Sequence, residues 1–325
     1  MDKIKTKLNI VLPPAAAVLG MLAMAVFSSD ASRGAYNGLS LCAKVIIPSL
    51  FPFFAVSSLL VSLGVPYLLG KAAGPVTNRL FGVSGAGAAA FVIGLIGGYP
   101  LGAAAVYELY RQGCLEKRSA ERLLAFCNNT GPAFIFGAAG SGIFGSFRAG
   151  AVLYCVHAVS AVITGLIVSA GHRGKHAAAP APKFCALTFS EALVSAVKSA
   201  VSNILSVCGF VIFFSAVKAV LEALGIFNSL AGQLAAHTGL ELTWCRALLT
   251  GLLEIGGGIS ALAGLPAEPL SFALCAFILG WGGLSVHCQT MAVTGELSAS
   301  FHFPGKVLHA LLSAVLAFSA ASLII

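Results

Sequence analysis

Apolar residues fill this chain in nine runs, at 10–27, 39–63, 85–110, 123–147, 150–170, 199–224, 244–265, 270–294 and 305–325. Each is close to the roughly 20 residues a helix needs to cross a bilayer. Polar residues collect in the short gaps between them. The pattern predicts an all-α polytopic membrane protein. Several runs are interrupted. Residues 39–63 contain Pro48 and Pro52. Gly97-Gly98-Tyr99-Pro100-Leu101-Gly102 breaks the third run, and Asn128-Asn129-Thr130-Gly131-Pro132 breaks the fourth. Hydrocarbon holds no water for freed backbone groups, so such breaks survive only where protein or a wet cavity satisfies them. Two of them within about forty residues point to a binding site at membrane depth.

Composition agrees. Of 325 residues, 58% are hydrophobic and 9% charged, with a mean hydropathy of +0.95; soluble domains carry about 25% charged residues. The 37 glycines suit close helix packing in lipid. The net charge of +8 reads as topogenic and not as a nucleic-acid footprint, because the basic residues sit in the gaps. The nine cysteines form no CxxC pair, and six of them, Cys42, Cys127, Cys155, Cys208, Cys275 and Cys288, lie in apolar runs as small hydrophobes. The seven histidines lack metal-ligand spacing, so no metal or cofactor is expected. His172 and His176 fall in a polar linker. The run at 10–27 is longer than a signal-peptide core and reads as a retained first span.

Charge placement sets the expected topology. Lys3, Lys5 and Lys7 put the N-terminus in the cytoplasm. If residues 85–110 crossed the membrane, Arg111, Lys117, Arg118 and Arg122 would lie outside. A re-entrant hairpin turning at Gly97–Gly102 keeps them inside, and a second hairpin at 244–265 keeps Lys306 inside. About seven crossings plus two hairpins result.

The halves also resemble one another. At an offset of 157, Gly94-Leu95-Ile96-Gly97-Gly98 aligns with Gly251-Leu252-Leu253-Glu254-Ile255, ahead of Gly256-Gly257-Gly258. The same offset sets Asn128, Thr130 and Pro132 against Ser285, His287 and Gln289. Three crossings between the copies invert the second, giving an inverted repeat of broken helices and re-entrant hairpins. The expected domains are 1–38 (first transmembrane helix), 39–170 (first repeat), 171–198 (basic cytoplasmic linker) and 199–325 (second repeat).

The candidate substrate-binding residues follow from the breaks. Gly98, Tyr99 and Pro100 form one tip. Asn128, Asn129 and Thr130 offer donors and acceptors in mid-span, suiting a polar solute or ordered water, with helix–helix bonding as the bland alternative. Ser285, His287 and Gln289 alternate, which predicts an unwound stretch projecting all three into one cavity. Glu254 is an acid deep in an apolar run; it is either a coupling-ion or proton site, or it bonds the free amides of its glycine-rich tip. Glycine tips with free amides favour an anionic group, and Lys44 either adds positive charge or snorkels. No nucleophile–base pair is present, so no catalytic residue is assigned and an enzyme is not expected.

Taken together, Pro48-Ser49-Leu50-Phe51-Pro52-Phe53, Gly98-Tyr99-Pro100-Leu101-Gly102, Ala120-Glu121-Arg122-Leu123, Asn128-Asn129-Thr130-Gly131-Pro132, Leu253-Glu254-Ile255 and Gly283-Leu284-Ser285-Val286-His287-Cys288-Gln289 resemble the YlbJ-type sporulation integral membrane proteins. The resemblance runs from about Leu39 to the C-terminus. It implies a nucleoside-recognition (Gate) domain, similar to the repeat core of concentrative nucleoside transporters. It further implies a bacterial cell membrane, that of the mother cell or outer forespore, and export of dipicolinate toward the forespore. The expected partners are a small polar or anionic solute and the lipid bilayer, with no nucleic acid; a homo-oligomer is left open. A nucleoside-type transporter and a non-transporting scaffold for spore morphogenesis are the alternatives.

Overall fold

Every regular element among the described residues is helical. The computed structural model describes residues 2–171 and 187–323. It opens with α1 (Asp2–Val26) and α2 (Ser28–Leu41), which meet at about 95° beside Phe27. A π-wound turn, Cys42–Ile46, carries α2 into α3 (Ile47–Ser62). Separate spans at 10–27 and 39–63 were the expectation; instead, the polar stretch between them is helical. It earns its place by close packing on a later helix. A Cβ on Gly34 would lie 2.6 Å from the Ser215 carbonyl, and one on Gly38 would lie 2.9 Å from the Ile212 Cα. The π turn precedes Pro48 and Pro52, whose missing donors interrupt the normal ladder.

α4 (Val65–Phe81) turns in at Gly64, where φ is 77°, and carries Lys71 and Arg79 exposed. Its last turns meet α5 (Gly85–Gly97) at about 93°. α5 and α6 (Leu101–Arg111) form a short-armed hairpin. α7 (Lys117–Cys127) stops at Asn128, and the chain resumes as a π-wound segment, Phe134–Ser141, and the single turn α8 (Gly142–Phe144). Arg122 is not in a loop as expected. It lies on α7, 1% exposed, and bonds the Ser119 hydroxyl at 3.3 Å. α9 (Phe147–Val168) closes the first half, capped by the Ser146 hydroxyl.

α10 (Phe189–Ala223) begins with a Thr188–Glu191 capping box. It therefore starts ten residues ahead of the expected span and takes over the end of the expected linker; His172 and His176 lie outside the described residues. α11 (Ile226–Thr238), α12 (Leu242–Leu253) and α13 (Ile255–Ser260) follow, then α14 (Pro269–Trp281), α15 (Gly283–Val293) and α16 (His302–Ala320).

The element order of the first half thus returns in the second. A proline-kinked or long helix leads to a short flanking helix, a hairpin, a broken helix and a final span. Among the described residues, four helical segments are long and apolar enough to cross a membrane: Phe147–Val168, Phe189–Ala223, Pro269–Val293 and His302–Ala320. Counting each bent pair as one span gives six. The pieces of the helix broken at Asn128, α7 and Phe134–Phe144, are each shorter than a span.

A further expectation fails. Residues 285–289 are not unwound; they lie inside α15. The second break sits earlier, at Gly282 and Gly283, with φ of 86° and 81°. Consecutive left-handed residues interrupt a helix, and glycine takes that conformation without steric cost. The alternating pattern came from a helix buried on more than one side, where period says little about winding.

Candidate functional site

Both hairpin tips press their backbone against a broken helix, and only glycine permits the approach. In the first half, a Cβ on Gly94 would stand 1.7 Å from the Cys127 carbonyl oxygen, and one on Gly102 would stand 2.1 Å from it. At the tip, a Cβ on Gly98 would meet the Gly131 nitrogen at 2.8 Å. The two breaks singled out from sequence are therefore in contact. Together with Leu50, Phe54, Tyr99, Pro132 and Phe134 they line a small apolar recess. Tyr99 is 5% exposed within the main core.

In the second half, Gly251 and Gly258 bring α12 and α13 together; a Cβ on Gly258 would lie 2.3 Å from the Gly251 Cα. Gly283 abuts the tip, where a Cβ would lie 3.0 Å from the Glu254 Cα. Trp281 donates its indole N–H to the Leu252 carbonyl at 3.1 Å, fixing the hairpin to α14. Glu254, 4% exposed, accepts from the amides of Gly256 at 2.7 Å and Gly257 at 2.5 Å. It caps α13 with its own carboxylate, so those amides are already occupied. Tyr99 at the first tip and Ile255 at the second belong to the same buried core cluster, so the two tips converge on one core. Lys44 is exposed and does not enter this region.

The first break is wired into the second half. Asn128 donates through Nδ2 to the Thr290 hydroxyl at 2.6 Å, and that hydroxyl donates to the Val286 carbonyl at 2.8 Å. Thr130 donates its hydroxyl to the Leu279 carbonyl at 2.8 Å. Asn129 turns back to the Phe126 carbonyl at 2.8 Å. Asn128, Asn129 and Thr130 are each 1% exposed or less. Even so, Asn128 Oδ1 and Asn129 Oδ1 have no hydrogen-bond partner.

Ser285, His287 and Gln289 are also buried, but they divide between faces of α15. Ser285 and Gln289 are four apart and share a face; His287 points away from it. The Ser285 hydroxyl and Gln289 Oε1 lack partners. His287 Nδ1 meets His302 Nε2 at 2.9 Å, and the His287 ring packs edge-on to Trp281 at 4.2 Å.

Four residues not assigned to the site from sequence complete the region: His157, His302 and His309, and Lys306, which was expected as a cytoplasmic charge and is instead buried on α16, 2% exposed. His157 Nε2 accepts the Thr130 backbone N–H at 3.1 Å. His309 Nε2 meets the His157 carbonyl at 3.1 Å, with the two rings 4.4 Å apart. His302 Nδ1 meets the Leu124 carbonyl at 3.0 Å, and Lys306 Nζ donates to the Asn128 carbonyl at 3.1 Å. Their signal was helical spacing. His302, Lys306, His309 and Ser313 recur at intervals of four, three and four on α16, and His157, Ser160 and Thr164 at three and four on α9. All seven are buried. Each set forms one stripe, and the stripes face each other where α9 packs on α16.

This chain is 29% identical over 317 residues to the sporulation integral membrane protein YlbJ of Bacillus subtilis (strain 168), covering 89% of this chain and 76% of that protein. The chain is similar to the YlbJ-type proteins. No family profile matches it. Among solved structures it resembles CNTnw in an inward-facing, substrate-bound state, with a TM-score of 0.53 and 15% identity over 94% of this chain and 87% of that one. A doubly substituted CNTnw in an outward-facing state gives 0.52 and 16%, covering 96% and 88%. The chain thus shares the fold of CNTnw, the architecture of broken helices and hairpins described above. At these identities the likeness shows fold alone.

Proposed function

We propose that this protein transports a small polar or anionic solute across a bacterial cell membrane during spore formation, without enzymatic chemistry. The observation that carries the reading is the convergence of two hairpin tips and two helix breaks, joined by Asn128 to Thr290 and Thr130 to Leu279. Such an arrangement holds freed backbone groups at membrane depth, where a carrier builds its binding site. The YlbJ likeness supports the sporulation setting, and the transporter-like fold supports solute movement. The solute we favour is dipicolinate, a small aromatic dianion, moved from the mother cell toward the forespore.

A nucleoside is the second reading, favoured by the likeness to CNTnw. Purified protein in lipid vesicles separates the possibilities. Dipicolinate flux above that of empty vesicles supports the first reading, and nucleoside flux alone supports the second. Flux of neither would leave a membrane scaffold. The site in this proposal comprises Gly98, Tyr99, Pro100, Asn128, Asn129, Thr130, Glu254, Ser285, His287 and Gln289. The proposed topology places the N-terminus and the loop after α6 in the cytoplasm. A cysteine placed at Gln112 in a variant without other cysteines should label from the cytoplasmic side; labelling from outside would overturn the re-entrant hairpin.

A further inference from the structure

Among the described residues, Lys306 is a buried base with no acid beside it. It lies on α16, 2% exposed, and donates to the Asn128 carbonyl at the first break. Among the described residues, the ion pairs with named partners join Arg33 to Asp30, and Lys218 and Arg246 to Glu222; none involves Lys306. The ionisable groups around it are basic. His302 and His309 are on its own helix, His157 comes from α9 and His287 from α15, and all four lie within electrostatic reach of it. α7 carries Glu121, but that carboxylate accepts the Ser298 amide, and Arg122 bonds Ser119. α14 meets α16 through Gly280 against Ala310 and brings Cys275 but no acid. On the packed faces of α9 and α16, His157 Nδ1, Ser160 Oγ, His309 Nδ1 and Ser313 Oγ are buried without hydrogen-bond partners.

Removing an ammonium from water is expensive unless a counter-charge accompanies it. The Asn128 carbonyl supplies a dipole and not a charge. Charge balances in two ways only: an uncharged amine with no anion beside it, or an ammonium paired with an anion brought by the solute. Resting on the transporter reading of this site, we propose that Lys306 is the counter-charge for a carboxylate of the transported solute and gains one proton each time that carboxylate binds. The amine takes a proton from water on the side of entry, leaving hydroxide in that solution, and the ammonium pairs with the entering carboxylate. When the carboxylate leaves, the proton leaves with it. Solute anion and proton therefore move together.

The test uses the full-length protein in vesicles containing a pH-sensitive dye, with dipicolinate and uridine as probes. Dipicolinate entry should acidify the lumen in step with its flux, and an acidic exterior should accelerate it. Lys306→Met should lower dipicolinate flux about tenfold or more, in the range seen when a buried charge partner is lost. Lys306→Arg, which stays protonated, should lose the coupled acidification, so that any dipicolinate flux it retains proceeds without proton entry. Dipicolinate flux without proton entry in the unmodified protein overturns the proposal, and so does undiminished dipicolinate flux in a folded Lys306→Met variant. Should that variant not fold, the proton signal of the unmodified protein decides. Uridine flux without dipicolinate flux overturns this proposal and leaves transport standing. Flux of neither removes the transport reading and this inference with it.

Discussion

The two hairpin tips reach the same contact with opposite chemistry. The first is closed by backbone alone, Gly98 against Gly131, with Gly94 and Gly102 astride the Cys127 carbonyl. The second is locked by a side chain, as Glu254 occupies the amides of Gly256 and Gly257 beside Gly283. The breaks differ in the same sense. The first presents Asn128, Asn129 and Thr130 to the other half of the molecule. The second is two glycines, with its polar residues displaced onto a regular helix. One half therefore supplies polar groups at the break, and the other supplies a fixed wall. A repeated order of helices need not repeat its chemistry.

The largest effect should come from the first tip. Gly94→Ala puts a methyl group 1.7 Å from a backbone oxygen, which neither side can yield. It should cost about 4 kcal/mol or more, the range of severe backbone and packing defects, and sharply reduce the yield of folded protein by size-exclusion chromatography. A folded, stable Gly94→Ala variant would mean that the tip does not seat on the break. Glu254→Gln comes next. The amide replaces one acceptor with a donor facing an N–H, so a loss of about 1–3 kcal/mol is expected in thermal unfolding. Tyr99→Phe at the other tip should change stability far less. Equal losses at both tips would erase the distinction between a side-chain lock and a backbone closure.

Asn128→Ala combined with His287→Ala should abolish flux while the protein stays in the membrane. Normal flux would make both residues packing elements. The smallest effect concerns the tie between halves outside the core. Tyr107 on α6 donates to Glu296 at 3.0 Å, and Gly295 at φ 53° admits the ring beside it. A bond to its own backbone amide, and next the Tyr107 hydroxyl, hold the Glu296 carboxyl below the usual carboxylate range. A lowered value adds stability above the unfolded-state value and loses it as pH falls through the folded one. Tyr107→Phe should lower the unfolding temperature slightly at neutral pH and leave it nearly unchanged at acid pH below the folded-state value, so that its fall toward acid becomes shallower.

Much of the architecture was legible in the chain. Apolar run lengths set the class, since hydrocarbon admits only backbone that satisfies itself. Proline and glycine marked the kinked helix, both hairpins and the first break, because those residues remove a donor or permit left-handed backbone. Other features depended on neighbours. Nothing local distinguishes an alternating Ser285-Val286-His287-Cys288-Gln289 in a buried helix from an unwound strand of backbone; Gly282 and Gly283 decided it. Nothing local says that the stripe of His302, Lys306, His309 and Ser313 meets His157, Ser160 and Thr164.

What the sequence determined by itself was where the chain must bend, because backbone donors and steric freedom belong to single residues. Only the tertiary structure decided which polar groups share the interior. Partnership between α7, α9, α15 and α16 is set by packing across the fold, and it alone leaves Lys306 beside the first break with no acid to balance it.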